Sequence, residues 1–185
     1  MGRAPRRAPS AALETVVGVI SDTHGLLRPE AVAALAGVDL IVHAGDIGAA
    51  AVLAALRAIA PVIAVRGNND RDAWAESIPE IATTEVRGIR LCVVHDIKEF
   101  RPRPGERIDV VIHGHSHRPS IVRREGLTLL NPGSAGPRRF TLPIAVARLR
   151  VGPAGVQPEI VELALAPSPE APRAPDRRLR KGPAP

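Results

Sequence analysis

Two histidines one residue apart, His115 and His117, stand in Gly114-His115-Ser116-His117, directly after the apolar run Ile108–His113. At the end of a buried strand, such a pair points two imidazoles at one region. Asp22 and His24 repeat that spacing after the run Thr15–Ile20, Asp46 follows Gly45, and Asn68 and His95 follow two further apolar runs. A mixture of carboxylate, amide oxygen and imidazole suits manganese, iron, nickel or zinc better than magnesium or copper alone. Seven donors are too many for one catalytic ion that keeps an open position. Two divalent ions sharing Asp46 resolve the count, with Asp22, His24 and His117 on one side and Asn68, His95 and His115 on the other. Ions roughly 3.5–4 Å apart hold a bridging hydroxide and clamp the attacking and leaving oxygens of an in-line displacement at phosphorus. The chemistry expected is hydrolysis of a phosphate ester, with Asp46, Asn68 and His95 as its catalytic group.

The elements that must carry these residues alternate in the first seventy positions. Short β-branched runs at Thr15–Ile20, Asp39–Val42 and Pro61–Val65 each end in polar chemistry, and helices are expected over Pro29–Ala36, which opens on proline, and Ala49–Ala58. Strand, polar turn and helix in repetition predict a parallel sheet, whose ligands gather beyond the carboxyl ends of the strands. Asp22, His24, Asp46 and Asn68 all fall there. The second half reads as hairpins: Ile81–Val86 with Ile89–Val94 around Arg87-Gly88, Ser120–Arg123 with Leu127–Leu130 around Glu125-Gly126, and Ile144–Val151 with Val156–Leu163. A parallel first sheet and a largely antiparallel second one are expected to pack face to face, with helices outside.

Asp22-Thr23-His24, Gly45-Asp46, Gly67-Asn68, His95 and Gly114-His115-Ser116-His117, in this order and spacing, resemble the calcineurin-like metallophosphoesterase superfamily. Compact size and the Asn131-Pro132-Gly133-Ser134 turn are similar to its small prokaryotic, YfcE-type phosphodiesterase branch. The resemblance runs from about Val16 to Leu163. It implies an α/β fold, a four-layer αββα sandwich of two mixed β-sheets flanked by helices, and a dinuclear site usually active with manganese. Larger phosphatases of the superfamily place a histidine directly after the metal-binding asparagine to protonate the leaving group. Here that position is Asn69; members of the small branch commonly lack that histidine too, and substrates with good leaving groups are expected. The connection from His95 to Asp109 is also short, and Pro102 and Pro104 preclude the longer helix that relatives place there. A rival reading is a protein-interaction scaffold that retains the fold and metal site, as a eukaryotic membrane-trafficking subunit of the superfamily does.

Other polar residues have two readings each. His43 and His113 are packed or capping residues, or groups that orient a ligand. Asp70 and Asp96 are outer acceptors or turn residues. Arg138 and Arg139 either meet a substrate phosphate or face water.

Composition bounds the rest. At 185 residues and 45% hydrophobic content, one domain is expected over residues 15–166. The net charge of +6 belongs to the ends: residues 1–14 carry an excess of +2 and residues 171–185 an excess of +4, while the positions between them cancel. Both ends, 1–14 and the Pro/Ala/Arg-rich 167–185, read as disordered basic tails. With no tyrosine, two phenylalanines and one tryptophan, the domain lacks platforms for stacking bases, which leaves the tails as the only feature suited to nucleic acid. Cys92 alone makes an intramolecular disulfide impossible and fits a reducing, cytoplasmic compartment. No run approaches the roughly 20 apolar residues of a membrane helix, so a phosphate-ester substrate is expected without a membrane partner. A homo-oligomer stays open.

Overall fold

The computed structural model describes residues 14–165; the expected basic tails, Glu14 apart, lie outside the described residues. Its first third alternates as anticipated: β1 (Thr15–Ile20), α1 (Pro29–Ala34), β2 (Leu40–Ala44), α2 (Ala50–Arg57) and β3 (Val62–Val65). Pro29 occupies the first turn of α1, where its missing N–H leaves no hydrogen bond unmade. At eight residues α2 is too short to persist alone; Val52, Leu53 and Leu56, on one face and buried, hold it to the sheet. Then follow β4 (Ile81–Val86), β5 (Ile89–Val94), β6 (Val110–Ile112), β7 (Ser120–Arg124), β8 (Leu127–Asn131), β9 (Ala145–Gly152) and β10 (Gly155–Glu162).

All three expected hairpins form, β4–β5, β7–β8 and β9–β10. Their assembly differs from the expectation of one parallel and one largely antiparallel sheet. β9 and β10 join the first sheet, in the order β10-β9-β1-β2-β3, so that β1 is parallel to β2 and antiparallel to β9. The second sheet runs β4-β5-β6-β8-β7 and is parallel through its centre, β5 to β6 to β8. Both five-stranded sheets are therefore mixed. Turn chemistry specifies which strands form a hairpin, but any free edge offers the same backbone partners, and so the turns do not say which sheet a hairpin enters.

Between the sheets, Val17, Val19, Val42 and Leu149 meet Leu91, Val93, Ile112 and Leu130, all without solvent access. Over the outer face of the first sheet, Leu35 and Leu56 cover Ile20, Ile41 and Val146. The outer layer of the second sheet is thin. Cys92, Val94 and Val111 are covered by the 3-10 turn Ile97–Glu99 and by Phe100, in the short proline-bearing connection noted above. Ile81 and Val122 remain exposed on this sheet. No helix among the described residues is long and apolar enough to cross a membrane.

The two layers should differ sharply in tolerance. Leu91→Ala is expected to cost about 3 kcal/mol, the scale of a cavity left in a packed core, whereas Val122→Ala should cost under about 1 kcal/mol. Urea denaturation of the metal-free protein measures both.

Candidate metal centre

Because the central strands of both sheets are parallel, their carboxyl ends deliver side chains to one edge. The segment after β1 carries Ser21 to His24, that after β2 carries Gly45 and Asp46, and that after β3 carries Gly67 to Asp70. From the second sheet come His95 after β5 and Gly114 to His117 after β6. Backbone bonds tie these segments together: Asp22 N–H donates to Gly45 O (3.0 Å), His24 N–H to Asp46 O (2.9 Å) and Gly114 N–H to His95 O (2.9 Å). The sheets are also bonded to each other, His95 Nδ1–H donating to Ala44 O at 2.8 Å.

All seven candidate ligands meet there, in two overlapping groups. In the first, His117 Nε2 lies 3.2 Å from Asp22 Oδ1 and 3.4 Å from His24 Nε2. In the second, Asn68 Oδ1 lies 3.2 Å from His95 Nε2 and 3.1 Å from His115 Nδ1. Asp46 Oδ2 stands between them, 3.8 Å from His24 Nε2 and 3.5 Å from His95 Nε2. Asp22 reaches toward both groups, since it also clusters with Asp46 and His95 closely enough for one ion.

The fit to cations rests on what these atoms lack. Asp22 is wholly buried and its Oδ1 accepts no hydrogen bond; His117 Nδ1 is likewise buried and unpartnered. An unsatisfied buried carboxylate oxygen is costly unless a cation meets it. The donor set of carboxylates, imidazoles and one amide is that of a transition-metal site.

The backbone is strained where these side chains leave it. Asp22, His24, Asp46, His115 and His117 all have left-handed φ, between 46° and 66°, a region that disfavours residues with a Cβ. Such conformations persist where the surroundings over-determine them, and they cluster at functional sites. Gly67 shows how tight the surroundings are: a Cβ there would overlap the Asp46 carboxylate and backbone nitrogen. At Gly114 a Cβ would overlap the Ser21 hydroxyl.

Electrostatics divide the histidines. For His95, burial opposes protonation, but the facing Asp46 carboxylate and the Ala44 carbonyl outweigh it and push the ring up to about 9. Burial alone would raise Asp46, yet hydrogen bonding with His95 and the Asn69 N–H holds it well below the usual carboxylate range. Without metal, this pair is an imidazolium facing a carboxylate, so a cation binding here must displace a proton. His43 is the opposite case. Fully buried, it is lowered to about 4 and is neutral at pH 7. Its Nδ1 accepts from Gly45 N–H (3.2 Å), which leaves Nε2–H to donate to Thr23 Oγ1 (3.0 Å), whose hydroxyl donates on to Ile47 O (2.8 Å).

The supporting residues have specific partners. Asp70 accepts from three backbone N–H groups, Ile47, Gly48 and Gly67 at 2.8 to 3.0 Å, and so pins the Asp46 segment to the Asn68 segment. Asn69 donates to Asp46 twice, from its backbone N–H (2.9 Å) and from Nδ2 (2.6 Å). Asp96 caps the Ile97–Glu99 turn through Lys98 N–H and faces His115 Nε2 at 3.8 Å. Arg138 lines a separate groove with Thr141, Pro143 and Glu162, which contains none of the candidate ligands. His24 is held below its ordinary value, by burial first, against the Asp46 and Asp22 charges, with the charge of the neighbouring Arg139 acting in the same direction as burial.

Three residues escaped the sequence reading as parts of the site. Ser21 Oγ donates to Asp22 Oδ2 (2.7 Å), which also accepts His115 N–H (3.1 Å). Asn131 Nδ2 donates to Gly114 O (2.8 Å) and Ser116 Oγ (3.1 Å), and Ser134 Oγ donates to Asp22 O (3.0 Å). Their signal lay in Ser21, directly before Asp22, and in the Asn131-to-Ser134 turn, which resembled the family without pointing to these contacts.

A buried carboxylate–imidazole site between the carboxyl ends of two packed mixed sheets defines a cation-binding α/β sandwich. The sequence pattern of the calcineurin-like phosphoesterase superfamily domain matches residues 16–152, and the chain belongs to that family. A probable metallophosphoesterase of Methanothermobacter thermautotrophicus is 38% identical over 161 residues, which covers 79% of this chain and 91% of the relative. Two solved structures share the fold. The phosphoesterase YfcE from E. coli has a TM-score of 0.58 at 21% identity, covering 81% of this chain and all of that one. Vacuolar Protein Sorting 29 from Cryptosporidium parvum has a TM-score of 0.65 at 16% identity, covering 83% and 100%.

Two outcomes test the site's construction. Gly67→Ala should weaken manganese binding at least about tenfold, since Asp46 must move; calorimetry on the purified protein reads it. In the metal-free protein, His43 binds its proton more readily unfolded than folded. Its contribution to stability is complete above about pH 6.5 and is lost progressively toward pH 4, by up to about 3 kcal/mol. His43→Gln should flatten the stability profile across that window.

Proposed function

We propose that this chain is a dinuclear metal-dependent phosphodiesterase that uses manganese, with iron, nickel or zinc as the other cations its donors suit. The observation that carries the reading is the placement of Asp46 between two donor groups, beside a buried Asp22 oxygen that accepts no hydrogen bond. In it, Asp22, His24 and His117 hold one ion, Asn68, His95 and His115 the other, and Asp46 serves both. When bound, the ions supply Lewis acidity toward phosphoryl oxygens and lower the pKa of water.

What the chain itself does follows from its hydrogen bonds. Asn69 is engaged on Asp46, and His43 and His113 are turned into bonds with neighbouring segments, His113 to Asn131 at 3.3 Å. No imidazole outside the ligand set is thereby left to protonate a leaving group. Turnover should depend steeply on leaving-group acidity. Asp70, Asn131 and Ser21 keep the ligands in place, which matters because misplacement of a reacting group by about 1 Å costs on the order of a hundredfold in rate. Residues 15–166 form the catalytic domain, in a reducing cytoplasm that suits the buried Cys92 thiol.

With manganese added, the purified protein should hydrolyse bis(p-nitrophenyl) phosphate. Asp46→Ala should lower kcat/KM by roughly a thousandfold or more, the scale for losing a group that stabilises transition-state charge. Absence of turnover with every divalent metal overturns the proposal. A scaffold role is the second reading, favoured by the thinly covered second sheet with exposed Ile81 and Val122 and by the likeness to Vacuolar Protein Sorting 29. It predicts a stable protein complex that survives His115→Ala and His117→Ala.

A further inference from the structure

Beside the Asn68–His95–His115 group lies a cavity of about 320 Å³, lined in addition by Arg66, Arg71, Glu80, Asp96 and Glu99. Most of these charges are already answered. Arg66 Nη2 donates to Glu80 Oε1 at 2.7 Å. Asp96 takes the Lys98 N–H and faces His115. Arg71 is different. Its Nε donates to the backbone carbonyl of Asn68 at 2.9 Å, and among the described residues it forms no ion pair. That bond places the exposed guanidinium beside the residue whose side chain reaches His95 and His115, and neither Nη group makes a hydrogen bond among the described residues. A guanidinium anchored at Nε loses little further freedom on binding, and its paired N–H groups match the two oxygens of a phosphate or carboxylate.

We propose that this cavity takes the second arm of the phosphodiester and that Arg71 recognises an anionic group on that arm. The inference rests on the phosphoesterase reading and narrows its substrate class to esters that carry a further phosphate or carboxylate. A neutral arm would leave the exposed Arg71 guanidinium to water and gain nothing from it. Glu99 lines the same cavity and makes no ion pair among the described residues, so its carboxylate disfavours an anion at its own position.

Calorimetry on the manganese-loaded protein separates this inference from catalysis, with propane-1,3-diol bisphosphate and propyl phosphate as probes that differ by one phosphate. The wild-type protein should bind the bisphosphate about tenfold tighter, the scale of one charge-assisted hydrogen-bonded contact. Arg71→Gln should bring that preference below about threefold, and Arg71→Lys, which keeps the charge without the fork, should fall between. Equal binding of the two probes by the wild type, no binding of either, or a preference that Arg71→Gln leaves intact would overturn the proposal. Because binding is measured, a protein that fails to hydrolyse bis(p-nitrophenyl) phosphate sinks the phosphodiesterase reading and still decides this one.

Discussion

Two carboxylates buried side by side set the problem that the rest of the structure answers. Asp22 is inaccessible and Asp46 only 2% exposed, so neither charge is solvated by water. Like charges at this depth repel, and an ionised carboxylate without a partner is among the costliest groups to bury. The neighbours are chosen accordingly. His95 faces Asp46 at 3.5 Å and Asn69 donates to it, Ser21 and the His115 N–H donate to Asp22, and one oxygen of Asp22 is left facing imidazole nitrogen without a bond. That remaining deficit of positive charge is what makes the site a cation site. The left-handed backbone at five of its residues follows from the same demand, because only sharply turned chain brings carboxylate and imidazole inward in the short segments that follow β1, β2 and β6.

Such demands can be met only on rigid supports. Three parallel strands in each sheet end at one edge, and the outermost bonds of each ladder continue into the ligand segments. Asp70 locks two of those segments in the first sheet through backbone donors, and Asn131 does the equivalent in the second. The His95–Ala44 bond then registers one sheet against the other. Precision at the centre is therefore a property of both sheets jointly, and neither could supply it alone.

Local order was largely legible in the chain. The β-branched runs, the Arg87-Gly88 and Glu125-Gly126 turns and the polar residues closing each run are short-range features, and hydrogen-bonding periodicity acts at that range. Seven polar residues after apolar runs sufficed to anticipate which side chains would gather. Lateral order was not legible: the β9–β10 hairpin pairs with β1, more than a hundred residues away, through backbone groups that carry no side-chain identity. For the same reason Asn131 read as a turn residue and Arg71 drew no reading. Their partners are carbonyls of distant or neighbouring loops, and a carbonyl looks alike in every sequence.

The position of β1 has a bearing on how the molecule comes to exist. It lies between β2, its near neighbour in sequence, and β9, which ends at Gly152. On a ribosome that emits about 5–20 residues each second, β1 waits many seconds with one ladder unsatisfied, an open edge of the kind that recruits foreign strands. Asp22 and His24 follow directly on that strand. The most demanding turn of the protein is thus made early and braced late, and pairing across so long a loop is the slow kind. The strand that carries Asp22 and His24 is therefore complete on both sides only when the β9–β10 hairpin has joined the sheet.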